Sequence, residues 1–135
     1  MPSASDEAAI AAFLAGYPPQ IAAICPRLRA LVAQVAPGAR ETLVAHHNHI
    51  AYSASGKPSE RIAYICPLRE WVRLGLDYGG ALDDPAGLLE GEGKRLRHVK
   101  VRTLEQAEAA ALAPLLAAGW AAGEATLAKR RPQRR

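Results

Sequence analysis

Cysteine is scarce in this chain, which has two (Cys25 and Cys66) among 135 residues. Two thiols far apart in sequence build neither a disulfide framework nor a cysteine-based zinc site. They fit reduced thiols in a cytosol, with Cys66 in the core. No apolar run reaches the roughly 18 residues needed to span a bilayer, and no cationic start leads into an apolar signal core. The expectation is a cytoplasmic protein with no membrane role. Other signatures are missing as well. The glycines match neither a phosphate-loop nor a dinucleotide fingerprint, and there is no nucleophile elbow, no cysteine–histidine catalytic signature and no internal repeat. Those absences point to binding more than to catalysis.

Acids are also missing from the C-terminal end. Lys129 to Arg135 hold five of the 17 Lys and Arg and none of the 13 Asp and Glu, leaving twelve bases against thirteen acids, a formal charge of −1, in residues 1–128. The net charge of +4 and pI of about 9.4 therefore describe a basic tail, read as disordered, on a neutral body. Nucleic-acid binding beyond weak tail electrostatics is not expected. The chain is half apolar and 22% charged, the composition of one soluble domain (residues 1–128) large enough to bury its own core.

Ser5 reads as an N-cap, Asp6 and Glu7 suit the positive end of a helix, and Ile10, Phe13 and Leu14 share one helical face that ends at Gly16. Pro18-Pro19 open a second helix with the stripe Ile21, Ile24, Leu28, Leu31, Val32, Val35. Pro26 is expected to kink or split it. From Glu41 the period moves towards two, predicting three or four strands as far as Tyr78. Thr42–Tyr52 reads as extended with a break near Asn48, and Ser53–Pro58 reads as a turn. Arg61–Cys66 is apolar on both faces, as in a central strand. Glu70–Tyr78 alternates, with Val72, Leu74 and Leu76 on one side and Trp71, Arg73, Gly75 and Asp77 on the other. Thr103-Leu-Glu-Gln106 has the capping-box pattern and opens an alanine-rich helix carrying Leu104, Leu112, Leu115, Leu116 and Trp120, which Pro114 should bend or interrupt.

The most individual stretch is Gly79–Glu105. Five glycines (79, 80, 87, 91 and 93) and four acids (Asp83, Asp84, Glu90, Glu92) give way to Lys94, Arg95, Arg97, Lys100 and Arg102 around His98. This reads as a shaped loop feeding a last strand, Arg97–Arg102, with Val99 and Val101 inward and His98, Lys100 and Arg102 outward.

Leu-Gly-Leu at 74–76, Gly-Ala-Leu at 80–82, Asp84-Pro85, Gly87-Leu-Leu-Glu-Gly91, Gly93-Lys94 and Arg97-His-Val-Lys-Val-Arg102 together resemble the YdhG-like family. This is a bacterial domain of unknown function related in shape to frataxins. The resemblance covers most of the chain. It implies an α+β, frataxin-like two-layer sandwich, with N-terminal helices and a C-terminal helix on one face of an antiparallel sheet. One member of the family is described as an iron chaperone. Where frataxins carry an acidic ridge on the first helix and strand, this chain offers Asp6, Glu7 and Glu41.

Two candidate sites follow. Lys94, Arg95, Arg97, His98, Lys100 and Arg102 beside a glycine-rich loop suit an anion, whether a small molecule or an acidic protein partner. The neighbouring acids could instead pair with these bases in a loop-to-strand clamp. The cluster His46-His47-Asn48-His49 suits a metal, iron or zinc. On a strand His47 and His49 would share a face and supply two nitrogens, with a third ligand still to be found. A pocket joining Trp71, Arg73 and His98 would instead suit a small enzyme. The expected function is a cytosolic binding domain for an anionic ligand or acidic partner, with metal handling through the histidines as the alternative.

Overall fold

The structure, a computed structural model, describes residues 4–130. Helices α1 (Ala4–Leu14) and α2 (Pro19–Val35) come first, followed by strands β1 (Arg40–Val44), β2 (His49–Ser53), β3 (Ala63–Pro67), β4 (Val72–Leu76), β5 (Leu89–Glu90) and β6 (Arg97–Val101). Helices α3 (Leu104–Ala107) and α4 (Leu112–Arg130) close the chain. Every strand pairing is antiparallel, in the order β1-β2-β3-β4-β6-β5. The fold is α+β with an open six-stranded sheet. Among the described residues no helix is long and apolar enough to cross a membrane.

The alternation along the strands decides where the core lies. Leu43, Ile50, Ile65, Leu74, Val99 and Leu89 stand opposite one another across the six strands, as do Pro67, Val72 and Val101. These rows face the helices. α1 packs on β1, α2 on β3 and β4, and α4 on β4. The stripe Ile21, Ile24, Leu28 and Val32 of α2 is buried, as are Leu112, Leu115, Leu116 and Trp120 of the closing segment. At about 25 cal/mol per Å² of apolar surface, each large aliphatic side chain so buried stabilises the fold by roughly 2 kcal/mol before entropy is counted. Among the described residues no helix covers the other face of the sheet.

Pro26 does not split α2, the expected break near Asn48 is a tight turn, and the expected interruption of the closing helix falls just before Pro114. α2 is a single helix through Pro26, because the cost of one lost backbone bond is offset by a buried stripe on both sides of the proline. The stretch 42–52 is a hairpin, with Val44 opposite His49 and Ala45–His47 as a 3-10 turn. Asn48 takes the left-handed conformation at φ 57° that reverses the chain, a backbone state asparagine tolerates better than most residues. The closing helix breaks over residues 108–111, before Pro114. Proline cannot donate to residue 110 and its ring crowds that carbonyl, so the helix restarts at Leu112, with Pro114 in a first turn that needs no donor there.

Half of the capping box forms as expected: the Gln106 amide donates to Thr103 Oγ1 at 3.1 Å. The Gln106 side chain, however, accepts from the Arg102 amide, one residue further back. Lys129 and Arg130 are helical, which corrects a tail starting at 129. The Arg130 guanidinium lies 5.9 Å from the Tyr78 ring centroid, and residues 131–135 are outside the described residues. The expected N-cap Ser5 falls inside α1.

Candidate functional site on the open face of the sheet

The glycine-rich segment leaves β4, builds β5 at the sheet edge and returns as β6 between β5 and β4. Its shape is fixed by backbone and carboxylate contacts. Both Asp84 carboxylate oxygens accept backbone amides, from Leu88 at 2.9 Å and Leu89 at 2.8 Å. The Gly80 amide donates to the Arg95 carbonyl at 2.9 Å, and a Cβ on Gly80 would overlap the Lys94 carbonyl. The close approach of these two loop limbs requires glycine at 80. The Arg97 Nε donates to the Gly93 carbonyl at 2.6 Å. This is a clamp, and it uses several of the residues that the sequence offers as anion ligands.

The six candidate anion ligands are accordingly divided. His98, Lys100 and Arg102 lie together on the helix-free face. Arg97 shares the helix-side parity of Val99 and Val101 and packs beside Gly79. The Arg95 guanidinium covers the Tyr78 ring at 4.9 Å, and Lys94 is exposed in the loop, its carbonyl against Gly80.

Register brings further residues to the three that remain. Arg73 is directly opposite Lys100, Gly75 opposite His98, and Tyr64 opposite Gly75. Trp71, one step before β4, is covered by Lys100 Nζ at 4.7 Å and by the Arg102 guanidinium at 5.8 Å. Arg61 stacks 4.1 Å over Tyr64. The face is thus a strip of interleaved cations and aromatic rings crossing β3, β4 and β6. Trp71, Arg73 and His98 share this face, with Trp71 roofed over by Lys100 and Arg102.

The charges on this strip are unequally compensated. Arg61 Nε reaches both Asp77 oxygens, at 3.0 and 3.1 Å, and Lys100 pairs with Glu90 at 3.4 Å. Among the described residues no carboxylate pairs with Arg73 or Arg102. Arg73 Nε and Trp71 Nε1 are buried donors without a hydrogen-bond partner, a cost that folded proteins seldom leave uncompensated. Burial lowers the His98 pKa below its usual value, helped by Arg73 and Lys100 and opposed by Glu90, so His98 is neutral at pH 7. Its role there is as hydrogen-bonding imidazole rather than as a cation.

The histidine cluster is arranged differently from the strand geometry expected for it. His46 and His47 belong to the 3-10 turn and only His49 is on a strand. The rings do gather, with centroids 4.2 Å apart for His46–His47 and 6.4 Å for His47–His49. His49 Nδ1 lies 3.2 Å from the His47 carbonyl, so it carries the proton and donates, while Nε2 faces Arg61 Nη1 at 3.4 Å. Burial first, and Arg61 as well, hold the His49 pKa down. Both ring nitrogens of His49 are engaged. Among the described residues no three His, Cys, Asp or Glu side chains are grouped to hold an ion.

Glu7 of α1 and Glu41 of β1 are also committed. Arg29 of α2 donates Nε and Nη2 to Glu41 at 2.9 and 2.8 Å and also pairs with Glu7, while the Tyr52 hydroxyl donates to Glu41 at 2.6 Å. Burial, then the Glu41 charge, raises the Tyr52 pKa. This network ties α1, α2, β1 and β2 together. Comparison of the chain with family models, with curated proteins and with solved structures finds no match.

Proposed function

We propose that the chain is a binding domain of the YdhG-like, frataxin-like type, whose helix-free sheet face recognises an anionic ligand or acidic partner. The order of helices, sheet and closing helices, with the helices on one face, supports the family reading. The binding reading rests on one observation above the rest: Arg73 presents a guanidinium with no carboxylate partner and a buried unpaired Nε, next to Lys100, His98 and Arg102 on a surface floored by Trp71 and Tyr64. Guanidinium groups held flat by neighbouring rings are suited to carboxylate and phosphate, which they meet in a bidentate fork. Cations spread over β4 and β6 favour an extended acidic segment, which can meet several of them at once.

The reading is tested by titration calorimetry with a capped hexaglutamate peptide and, separately, pyrophosphate. Arg73→Gln and Arg102→Gln should each weaken binding about tenfold, since a charge-assisted hydrogen bond is worth about 1.5–3 kcal/mol. Arg27→Gln, in an exposed pair with Glu108 on the helix layer, should leave it unchanged. Absence of binding by both probes, or equal losses in all three variants, would remove the proposal.

A further inference from the structure

A concavity of about 170 Å³ opens on the same face of the sheet but at its other end, over the β1–β2 hairpin. Its floor is apolar, from Val44 and Ala51, and its walls are His47, His49, Lys57 and Arg61. No carboxylate lines it. Ala51 stands between Thr42 and Tyr64 in the outward row, and its small side chain is what leaves the hollow.

The polar groups around the hollow are all able to donate. Arg61 spends Nε on Asp77 and touches His49 through Nη1, and among the described residues its Nη2 has no partner. Lys57 has no carboxylate within ion-pair distance among the described residues. His49 directs its Nδ1 proton at the His47 carbonyl, so the imidazoles form a flat, polarised wall. An apolar floor with two cations on one side is the environment of a small ligand that has an apolar body and a single anionic end.

We propose that this concavity is a second binding site, for a small organic anion (a carboxylate or phosphate monoester). The ligand's charged end lies between Lys57 and Arg61, and its apolar body covers Val44 and Ala51. The site adjoins the Arg73–Lys100 strip through Arg61, which belongs to both, and it gives the histidine cluster a role as wall rather than as metal ligand.

The experiment is an amide-shift NMR titration of the full chain with benzoate and with phenyl phosphate, and with benzyl alcohol as the uncharged control. Benzoate or phenyl phosphate should give saturable shifts confined to residues 42–61 at concentrations up to about 10 mM. Binding should weaken about tenfold in Lys57→Gln and be lost in Ala51→Leu, which fills the hollow. Lys57 is exposed, so its variant keeps the test decisive if Ala51→Leu fails to fold. No saturable shift, shifts centred elsewhere, equal binding of benzyl alcohol, or affinity unaltered in Lys57→Gln would each overturn the proposal. So would tight zinc binding that His47→Ala abolishes.

Discussion

The ring of Tyr64 lies across Gly75, its directly opposite neighbour on β4, and occupies the space a side chain at 75 would need. The pair is a cross-strand unit in which an aromatic ring covers a glycine, and Arg61 closes it from above. Gly75→Ala would drive a methyl group into the ring. The expected cost is about 1–3 kcal/mol, as for overpacking in a filled site. Urea denaturation checks it, and Tyr64→Ala in the same chain should absorb much of the penalty, giving a non-additive double mutant. Wild-type stability for Gly75→Ala would show that the ring is not held there.

Arg29 anchors the other end of the sheet. Its side chain is 17% exposed and that of Glu41 9%, whereas Glu7 is 53% exposed. Arg29→Ala takes from a nearly buried carboxylate the cation it shares with Glu7 and should cost about 3 kcal/mol. Glu7→Gln alters an exposed partner and should cost less than about 1 kcal/mol. Equal effects of the two substitutions would contradict the picture of Glu41 as the buried member.

Acid should weaken the fold through two histidines. His49 and His98 both have pKa values below their ordinary one, with burial as the first cause. As pH falls past the ordinary imidazole range, the unfolded chain takes up protons before the folded chain does. Their contribution to stability is therefore intact above that range, declines as pH drops, and is fully lost below the lowered folded values. Urea midpoints should fall between about pH 7.5 and about pH 5, and less so in His49→Asn with His98→Asn. A midpoint that rises on acidification would contradict this.

The two thiols should differ. Cys25 is fully buried on α2 and its pKa is pushed up to about 12, burial being the main cause. Cys66, on β3, is partly exposed with a raised pKa. Ellman's reagent at about pH 8 should titrate one thiol slowly in the native protein, and both after unfolding; Cys66→Ser should abolish the native reaction. Rapid reaction of both thiols in the native chain would contradict the placement of Cys25.

What the sequence made legible was set by how local the governing interactions are. The alternation of Val72, Leu74 and Leu76 against Trp71, Arg73 and Gly75 reads off directly, because a half-buried strand has a period of two. The same parity was available for Arg97, which shares it with Val99 and Val101 and so belongs to the helix side. The β1–β2 turn was obscured because three histidines interrupt no apolar pattern, leaving Asn48 as the single local signal. The break before Pro114 depended on which side of the proline the helix restarts, and β5 is too short to show a period. Arg73 opposite Lys100 and Arg29 between Glu7 and Glu41 are matters of register and helix docking, joining residues 12 to 27 positions apart. No spacing in the chain announces them.

The most direct test of the binding account is an amide-shift map of the full chain titrated with capped hexaglutamate. The account predicts saturable shifts clustered at residues 71–75 and 98–102, weakening with added salt as partly exposed charge pairs do. Shifts that instead concentrate on the helix layer, or that persist unchanged in Arg73→Gln, would contradict it.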